Sequence, residues 1–181
     1  MTEILHTGRF IELIRQGGWE FVRRRNASAV VGIVAVTPAG DLLLVEQQRI
    51  PVGCRVIELP AGLVGDEQAD EDLLTAAARE LEEETGWRPG RCHVLGRGPS
   101  SAGLTNEVST LIRAHELVRV GDGGGVPGEG ITVHAIPLIS VPAWLADKAR
   151  AGILIDHKIH AALWWLAQDE AAASRPKDSR G

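Results

Sequence analysis

Residues 71–85 constrain this chain more than any other stretch. Leu74, Ala77, Ala78 and Leu81 recur at i, i+3, i+4 and i+7, the period of a helix with one buried stripe. Asp70 is the expected N-cap, Glu71 and Asp72 suit the positive end of the helix dipole, and Gly86 is expected to stop the helix. Beside the apolar stripe, at about 100° per residue, Glu80, Glu83 and Glu84 fall within an arc of about 100°. Carboxylates so placed repel one another, by roughly 0.2–0.5 kcal/mol for each exposed i,i+4 pair and by more when partly buried. From Glu58 to Gly86 there are ten acidic side chains and one basic one, Arg79. Such a region is either a solvated helix surface or a site that draws its positive charge from bound divalent cations.

The flanking segments place that helix in an α/β layered fold. Arg9–Arg15, Trp19–Arg24, Ala29–Thr37, Leu42–Gln48 and Arg55–Leu59 read as strands, punctuated by Gly17-Gly18 and by Pro38-Ala39-Gly40-Asp41. Three more are expected at Cys92–Arg97, Glu107–His115 and Ile131–Leu138. The glycine-rich run 121–128 reads as a flexible loop of the kind that sits over active sites. Helices are expected at Val141–Ala151 and Asp156–Ala171. Strands on both sides of one strong helix, with a helix at the end, predict a sandwich of layers rather than a regular βαβ array.

Bulk properties exclude several classes. At 181 residues, 44% hydrophobic and 24% charged, the chain fits one globular domain. The strongest apolar run, Val30–Val36, is too short to cross a bilayer, so no membrane partner is expected. A net charge of −5 argues against a nucleic-acid partner, which needs a basic face. The N-terminus shows no basic patch followed by an apolar stretch, so a cytoplasmic protein with two free thiols, Cys54 and Cys92, is expected.

Gly65, Glu71, Arg79-Glu80-Leu81, Glu83-Glu84 and Gly86-Trp87, at these spacings and in a loop–helix–loop context, resemble the complete Nudix box. Trp87 stands where that family places an aliphatic residue, a departure expected to affect packing. The resemblance implies an α/β/α sandwich with mixed β-sheets and an N-terminal β extension. Residues 1–28 would be the extension, serving dimerisation and substrate binding, 29–173 the hydrolase domain and 174–181 a disordered tail. It also implies that Glu80, Glu83 and Glu84 bind Mg2+, with Mn2+ a possible substitute. Arg79 would brace Glu83, Glu71 would assist at the helix start, and Ala61, in Glu58-Leu59-Pro60-Ala61-Gly62, would lend a backbone carbonyl to the metal.

The likeness extends to the ADP-ribose pyrophosphatase subfamily. Glu46-Gln47-Gln48-Arg49 is similar to its Glu-Gln-x-Arg strand, which makes Arg49 a bidentate phosphate clamp. Glu58 is a further substrate-binding candidate. By the same resemblance Glu129 is the first candidate for general base and Glu107 the second. The subfamily acts as a homodimer whose N-terminal strands help to hold the nucleobase, which makes Trp19, Phe21 and the arginines up to Arg25 candidates for that platform. Trp164 and Trp165 read as core packing. Ser101-Ala102-Gly103 replaces the subfamily's Ser-Pro-Gly, which widens the expected substrates from ADP-ribose to other nucleoside diphosphate sugars. Flavin adenine dinucleotide, dinucleoside polyphosphates and a non-catalytic ADP-ribose-binding role remain alternatives.

Overall fold

The computed structural model describes residues 1–65, 70–125 and 128–173. The tail expected at 174–181, two residues of the glycine-rich loop (Val126 and Pro127) and two of the acidic residues, Asp66 and Glu67, lie outside the described residues.

The chain opens with an antiparallel meander of β1 (Thr2–Thr7), β2 (Ile11–Gln16) and β3 (Trp19–Arg24). Gly17 and Gly18, both at positive φ, close the two-residue turn between Gln16 and Trp19. β1 is an addition to the strands expected from sequence, because its residues are mostly polar. Its register on β2 is reinforced by Arg15, which reaches Glu3 on β1 and Glu20 on β3.

The remaining strands form two mixed four-stranded sheets and one short pair. In chain order they are β4 (Ala29–Ala35), β5 (Asp41–Arg49), β6 (Cys54–Glu58) and β7 (Ala61–Val64), then helix α1 (Leu73–Thr85) and the short β8 (Trp87–Arg88). They continue with β9 (Arg91–Pro99), β10 (Val108–His115), β11 (Val118–Arg119), which pairs with β8, and β12 (Thr132–Pro137). Helix α2 (Val141–Arg150), β13 (Leu154–Ile155) and helix α3 (His157–Ala173) complete the fold. One sheet has the order β7-β4-β10-β9, the other β12-β5-β6-β13. Pairing is parallel between β4 and β10 and between β6 and β13, and antiparallel elsewhere in these two sheets.

Alternation along β4 explains the layering. Val31, Ile33 and Ala35 join Ala76, Ala77 and Leu81 of α1 in one core, whereas Val34 joins Ile159, Ala162 and Leu166 of α3 and Leu145 of α2 in a second. A strand buried on both faces reads as a continuous apolar run, as Val30–Val36 does. The result is the expected α/β/α sandwich, and Trp87 packs against the α1 core.

The limits of α1 correct one expectation and meet another. Asp72, not Asp70, is the N-cap: its carboxylate accepts from the amides of Leu74 and Thr75 at 3.0 and 3.3 Å. The helix therefore starts at Leu73, and Glu71 lies before it. At the other end Gly86 adopts φ 75° and donates its amide to the Glu82 carbonyl, the expected αL stop.

Glu46 of β5 is a buried keystone between the sheet and α2. It accepts from Arg55 on β6 at 2.6 Å, His134 on β12 at 3.0 Å and Lys148 on α2 at 3.2 Å. Burial alone pushes its carboxyl up, but these hydrogen bonds and the Lys148 charge outweigh burial and hold it at about 2, below its ordinary 4.5. A depressed carboxyl stabilises the fold above its unfolded value and loses that contribution as pH falls from 4.5 towards 2, on the order of 3 kcal/mol. Glu46→Gln should cost roughly 3 kcal/mol or more at neutral pH, because three donors lose their anion. It should also flatten the loss of stability across that acid window; urea titrations at several pH values measure both effects.

Candidate active site

The second half of α1 carries the acidic cluster, and each of its carboxylates meets a different environment. Glu84 is buried and accepts from the amide of Ala61 at 3.1 Å. Burial raises its carboxyl most, the Ala61 amide opposes the rise, the charges of Glu80 and Glu129 add to it, and Arg49 opposes it; the outcome is about 8. Glu80 lies against Gly62 of β7, where a Cβ would sit 2.1 Å from both its Cγ and Cδ. Only glycine at position 62 leaves room for that carboxylate. Glu83 is the outermost of the three, its side chain 41% exposed.

Arg79 ties the cluster together. Its guanidinium reaches Glu71 at 3.1 Å, Glu80 at 3.0 Å and Glu83 at 3.2 Å. The hydrogen bond to Glu71 leads the several carboxylate interactions that raise its pKa and keep it protonated. Glu71, displaced from the helix, thus anchors Arg79 from the preceding loop.

The expected glycine-rich loop packs on the C-terminal end of α1. Gly124 donates its amide to the Glu84 carbonyl at 2.7 Å and Gly125 donates to the Glu83 carbonyl at 3.1 Å, which satisfies carbonyls a helix end leaves bare. Gly123, at φ 71°, approaches so closely that a Cβ would lie 2.4 Å from the Thr85 carbonyl carbon. The same loop brings Glu129 into the cluster: its carboxylate packs on Gly125, where a Cβ would come within 2.1 Å of Oε2, and its charge is felt at Glu84.

Ala61 and Gly62 also line a cleft of about 1100 Å³ between β6, β7, β9 and the start of α3. Arg24, Arg49, Arg97 and Lys158 contribute positive charge to its walls. Arg49 is held by Glu58, with Nε at 3.0 Å from both carboxylate oxygens and Nη2 at 2.5 Å from one, and Gln47 donates to the same carboxylate at 3.0 Å. Arg49 and Glu58 therefore meet in the cleft as one unit. Glu107 also lines it, but its carboxylate is engaged by Arg24 at 2.9 Å and by Ser100 at 3.1 Å. Glu129, not Glu107, is the one coupled to Glu84.

The platform candidates of the N-terminal meander occupy different places in the chain's own fold. Arg25 is absent from the cleft walls; it donates to the Gly8 carbonyl at 2.7 Å and pairs with Glu12, within the meander. Arg24 takes the cleft position. Strand alternation puts Arg23 and Arg25 on one face, both at Glu12, and Arg24 on the other, a parity legible in the sequence. Trp19 lies in a separate cavity of about 410 Å³ with Phe21, Ala102 and Asn106, and is 63% exposed. Arg97 and Lys158 carry no sequence signal beyond their charge. Of the tryptophan pair, Trp165 packs on the second core and on Gly96 while lining the cleft, whereas Trp164 is 56% exposed, contrary to a core role.

A sequence model of the NUDIX domain matches residues 27–175. The methanol dehydrogenase activator of Bacillus methanolicus is 33% identical over 153 residues, which cover 84% of this chain and 77% of that one. The ADP-ribose pyrophosphatase of Mycobacterium tuberculosis is 35% identical over 126 residues, 66% of this chain and 60% of that protein. The ADP-ribose pyrophosphatase of Bacillus subtilis is 36% identical over 87 residues, so that the chain spans about half the length of that relative. A crystal structure of an ADP compounds hydrolase superposes with a TM-score of 0.71 at 19% identity, covering 97% of this chain and 95% of the other, and shows a shared fold.

Proposed function

The chain belongs to the Nudix family, and from that premise we propose that it hydrolyses the diphosphate of ADP-ribose or a related nucleoside diphosphate sugar, giving a nucleoside monophosphate and a sugar phosphate. The observation that carries this reading is the juxtaposition of mutually repelling carboxylates, Glu80, Glu84 and Glu129, with a cleft walled by Arg24, Arg49, Arg97 and Lys158. Anions gathered in that way need a cation, and the cleft presents guanidinium and ammonium groups, three of them held in place by Glu107, Glu58 and Asp156, to an anionic ligand. A diphosphate carried with divalent metal satisfies both at once.

The donor set fits a hard divalent ion, since it is all oxygen: the carboxylates of Glu80, Glu83 and Glu84, with the Ala61 carbonyl as the expected backbone ligand. Mg2+ is the proposed ion and Mn2+ a substitute. When bound, the ion supplies charge neutralisation at the diphosphate and acidification of a water. The chain's own residues do the rest. Arg49, braced by Glu58, offers a planar guanidinium to phosphate oxygens. Arg79 keeps the metal-binding carboxylates in place from behind. Glu129 accepts the proton of the attacking water, while Glu107 positions Arg24 on the cleft wall.

The exposed apolar residues of the meander, Phe10, Ile11 and Trp19 among them, support the homodimer reading, in which residues 1–28 form the shared surface and Trp19 and Phe21 the nucleobase platform. Among the described residues no helix is long and apolar enough to cross a membrane. A cytoplasmic location is the accompanying proposal.

The test is a substrate screen. Purified protein with magnesium is offered ADP-ribose, ADP-glucose, GDP-mannose and flavin adenine dinucleotide, and phosphatase-releasable phosphate is measured. ADP-ribose or another nucleoside diphosphate sugar should release the most, and a chelator should abolish release. Binding without release from any of them would assign the chain to ligand sensing instead.

A further inference from the structure

Outside the acidic cluster, where α3 packs on β9, three further ligand-type side chains converge. His93 of β9 and His115 of β10 stack with ring centroids 5.0 Å apart and planes inclined by 19°. Register pairs His93 with Arg113, so His115 is its diagonal neighbour on the same sheet face. His93 Nδ1 lies 3.1 Å from His115 Nε2, and His93 Nε2 lies 3.3 Å from Oδ1 of Asp169 on α3. One ligand atom from each residue can be chosen so that all three lie within 4.8 Å of one another.

We infer that His93, His115 and Asp169 form a second metal site, for a single zinc-class transition ion, distinct in ligand chemistry from the all-oxygen site on α1. Two imidazoles and one carboxylate suit zinc and its Irving–Williams neighbours, whereas magnesium prefers oxygen alone. A zinc ion held about 2.1 Å from its ligands places neighbouring ligand atoms roughly 3.4 Å apart, and the three atoms, now within 4.8 Å of one another, need only a small contraction to reach that spacing. Since His93 commits one nitrogen to an ion, a modest turn of the His115 ring completes the set. The half-buried position leaves a fourth place open to water.

The surroundings cut both ways, and their balance favours the ion. Burial first, then the charges of Arg113, Arg91 and His93, depress the His115 pKa, and the neutral imidazole is the form that ligates a metal. The two arginines also repel a cation. Arg113, however, donates to the carbonyls of Val34 and Ala114, Arg91 lies 3.9 Å from Glu116, and Asp169 supplies the compensating anion. Asp169 stands one turn beyond Trp165, which packs on Gly96 of the same strand as His93 and lines the cleft. An ion here would therefore staple α3, and with it the cleft wall that carries Lys158, to β9 and β10.

The experiment uses the full chain without an affinity tag, stripped with a chelator and returned to millimolar magnesium to fill the all-oxygen site. Zinc is titrated calorimetrically and Co2+ is followed by its visible absorption, for the wild type, His93→Asn and His115→Asn. The wild type should take up one zinc equivalent and show the stronger d–d bands of a low-coordinate cobalt site. Its Tm should rise by roughly 5–10 °C at a hundredfold excess over Kd. Both variants, shown folded by near-UV circular dichroism, should lose the equivalent, the bands and the Tm shift. Equal zinc uptake by all three proteins, or none by the wild type, would overturn the inference, and neither result bears on diphosphate hydrolysis.

Discussion

Replacing Glu84 by glutamine should cut turnover by orders of magnitude while making the metal-free protein more stable. Glutamine keeps the shape and still accepts from the Ala61 amide, so the packing around it survives. What disappears is the cost of folding around a carboxyl whose ionised form is disfavoured by burial first and then by the charges of Glu80 and Glu129. Activity should fall by roughly 10²–10³-fold or more, the scale on which loss of one preorganised charge-stabilising group is felt. The stability effect has a pH signature. Because the folded carboxyl is raised from 4.5 to about 8, its neutral form is the one the fold favours; that contribution is complete below pH 4.5 and is lost as pH rises through 8. In chelator, the wild-type melting temperature should therefore decline across this window, and that of Glu84→Gln should decline less. Magnesium should restore the wild type and leave the variant unchanged. Calorimetric scans at pH 6 and about pH 8.5, with and without the ion, check each of these effects.

Gly62→Ala should separate function from folding in another way. The added Cβ would meet Glu80 at 2.1 Å, but the atoms it strikes belong to the outer part of a side chain that can swing away. The fold should lose little, whereas the displaced carboxylate should cost metal affinity and, through it, about a hundredfold in kcat/KM, the scale of a misplaced catalytic group. Gly123→Ala provides the contrast. There the Cβ meets the backbone of Thr85 at 2.4 Å from a residue at φ 71°, so neither partner can yield cheaply, and the fold itself should be destabilised. Comparing melting temperature with metal affinity for the two variants distinguishes a steric fault at the ligand from one in the scaffold.

How legible each element is in the amino-acid sequence depends on where its signal resides. The acidic helix is legible because its information is local: the apolar period, the carboxylate spacing and the Gly86 stop lie within one short segment. Its start is less so, since Asp70 and Asp72 both suit a cap by residue type, and it is the Asp72 carboxylate that accepts from the amides of Leu74 and Thr75. β1 and β7 escape sequence patterning for physical reasons as well. Thr2–Thr7 is mostly polar and draws its order from pairing with β2 and the Arg15 ion pairs, and Ala61–Val64 is four residues long with a glycine inside.

The site divides along the same line. Glu80, Glu83 and Glu84 share a helix, so their convergence follows from periodicity, but the presence of Glu129 beside Glu84 depends on a loop returning to the helix end. Arg24 is within reach of simple strand parity, which separates it from Arg23 and Arg25. Lys158 and Arg97 are not, because the meeting of β9 and α3 at the cleft is a fact of topology. Trp164 and Trp165 illustrate the limit of composition: neighbours on a helix point about 100° apart, so one reaches the cleft while the other faces outward.

In the proposed reaction the carboxylates of α1 hold the ions that engage the substrate's paired phosphates. Anomalous diffraction from crystals grown with Mn2+ and an ADP-ribose analogue bearing a methylene in place of the bridging oxygen tests this directly. Manganese peaks are expected about 2.1–2.2 Å from oxygens of Glu80 and Glu84, with the analogue's phosphates completing the coordination and Arg49 against them. Peaks elsewhere, or a bound analogue with no ion between it and those side chains, would contradict that arrangement.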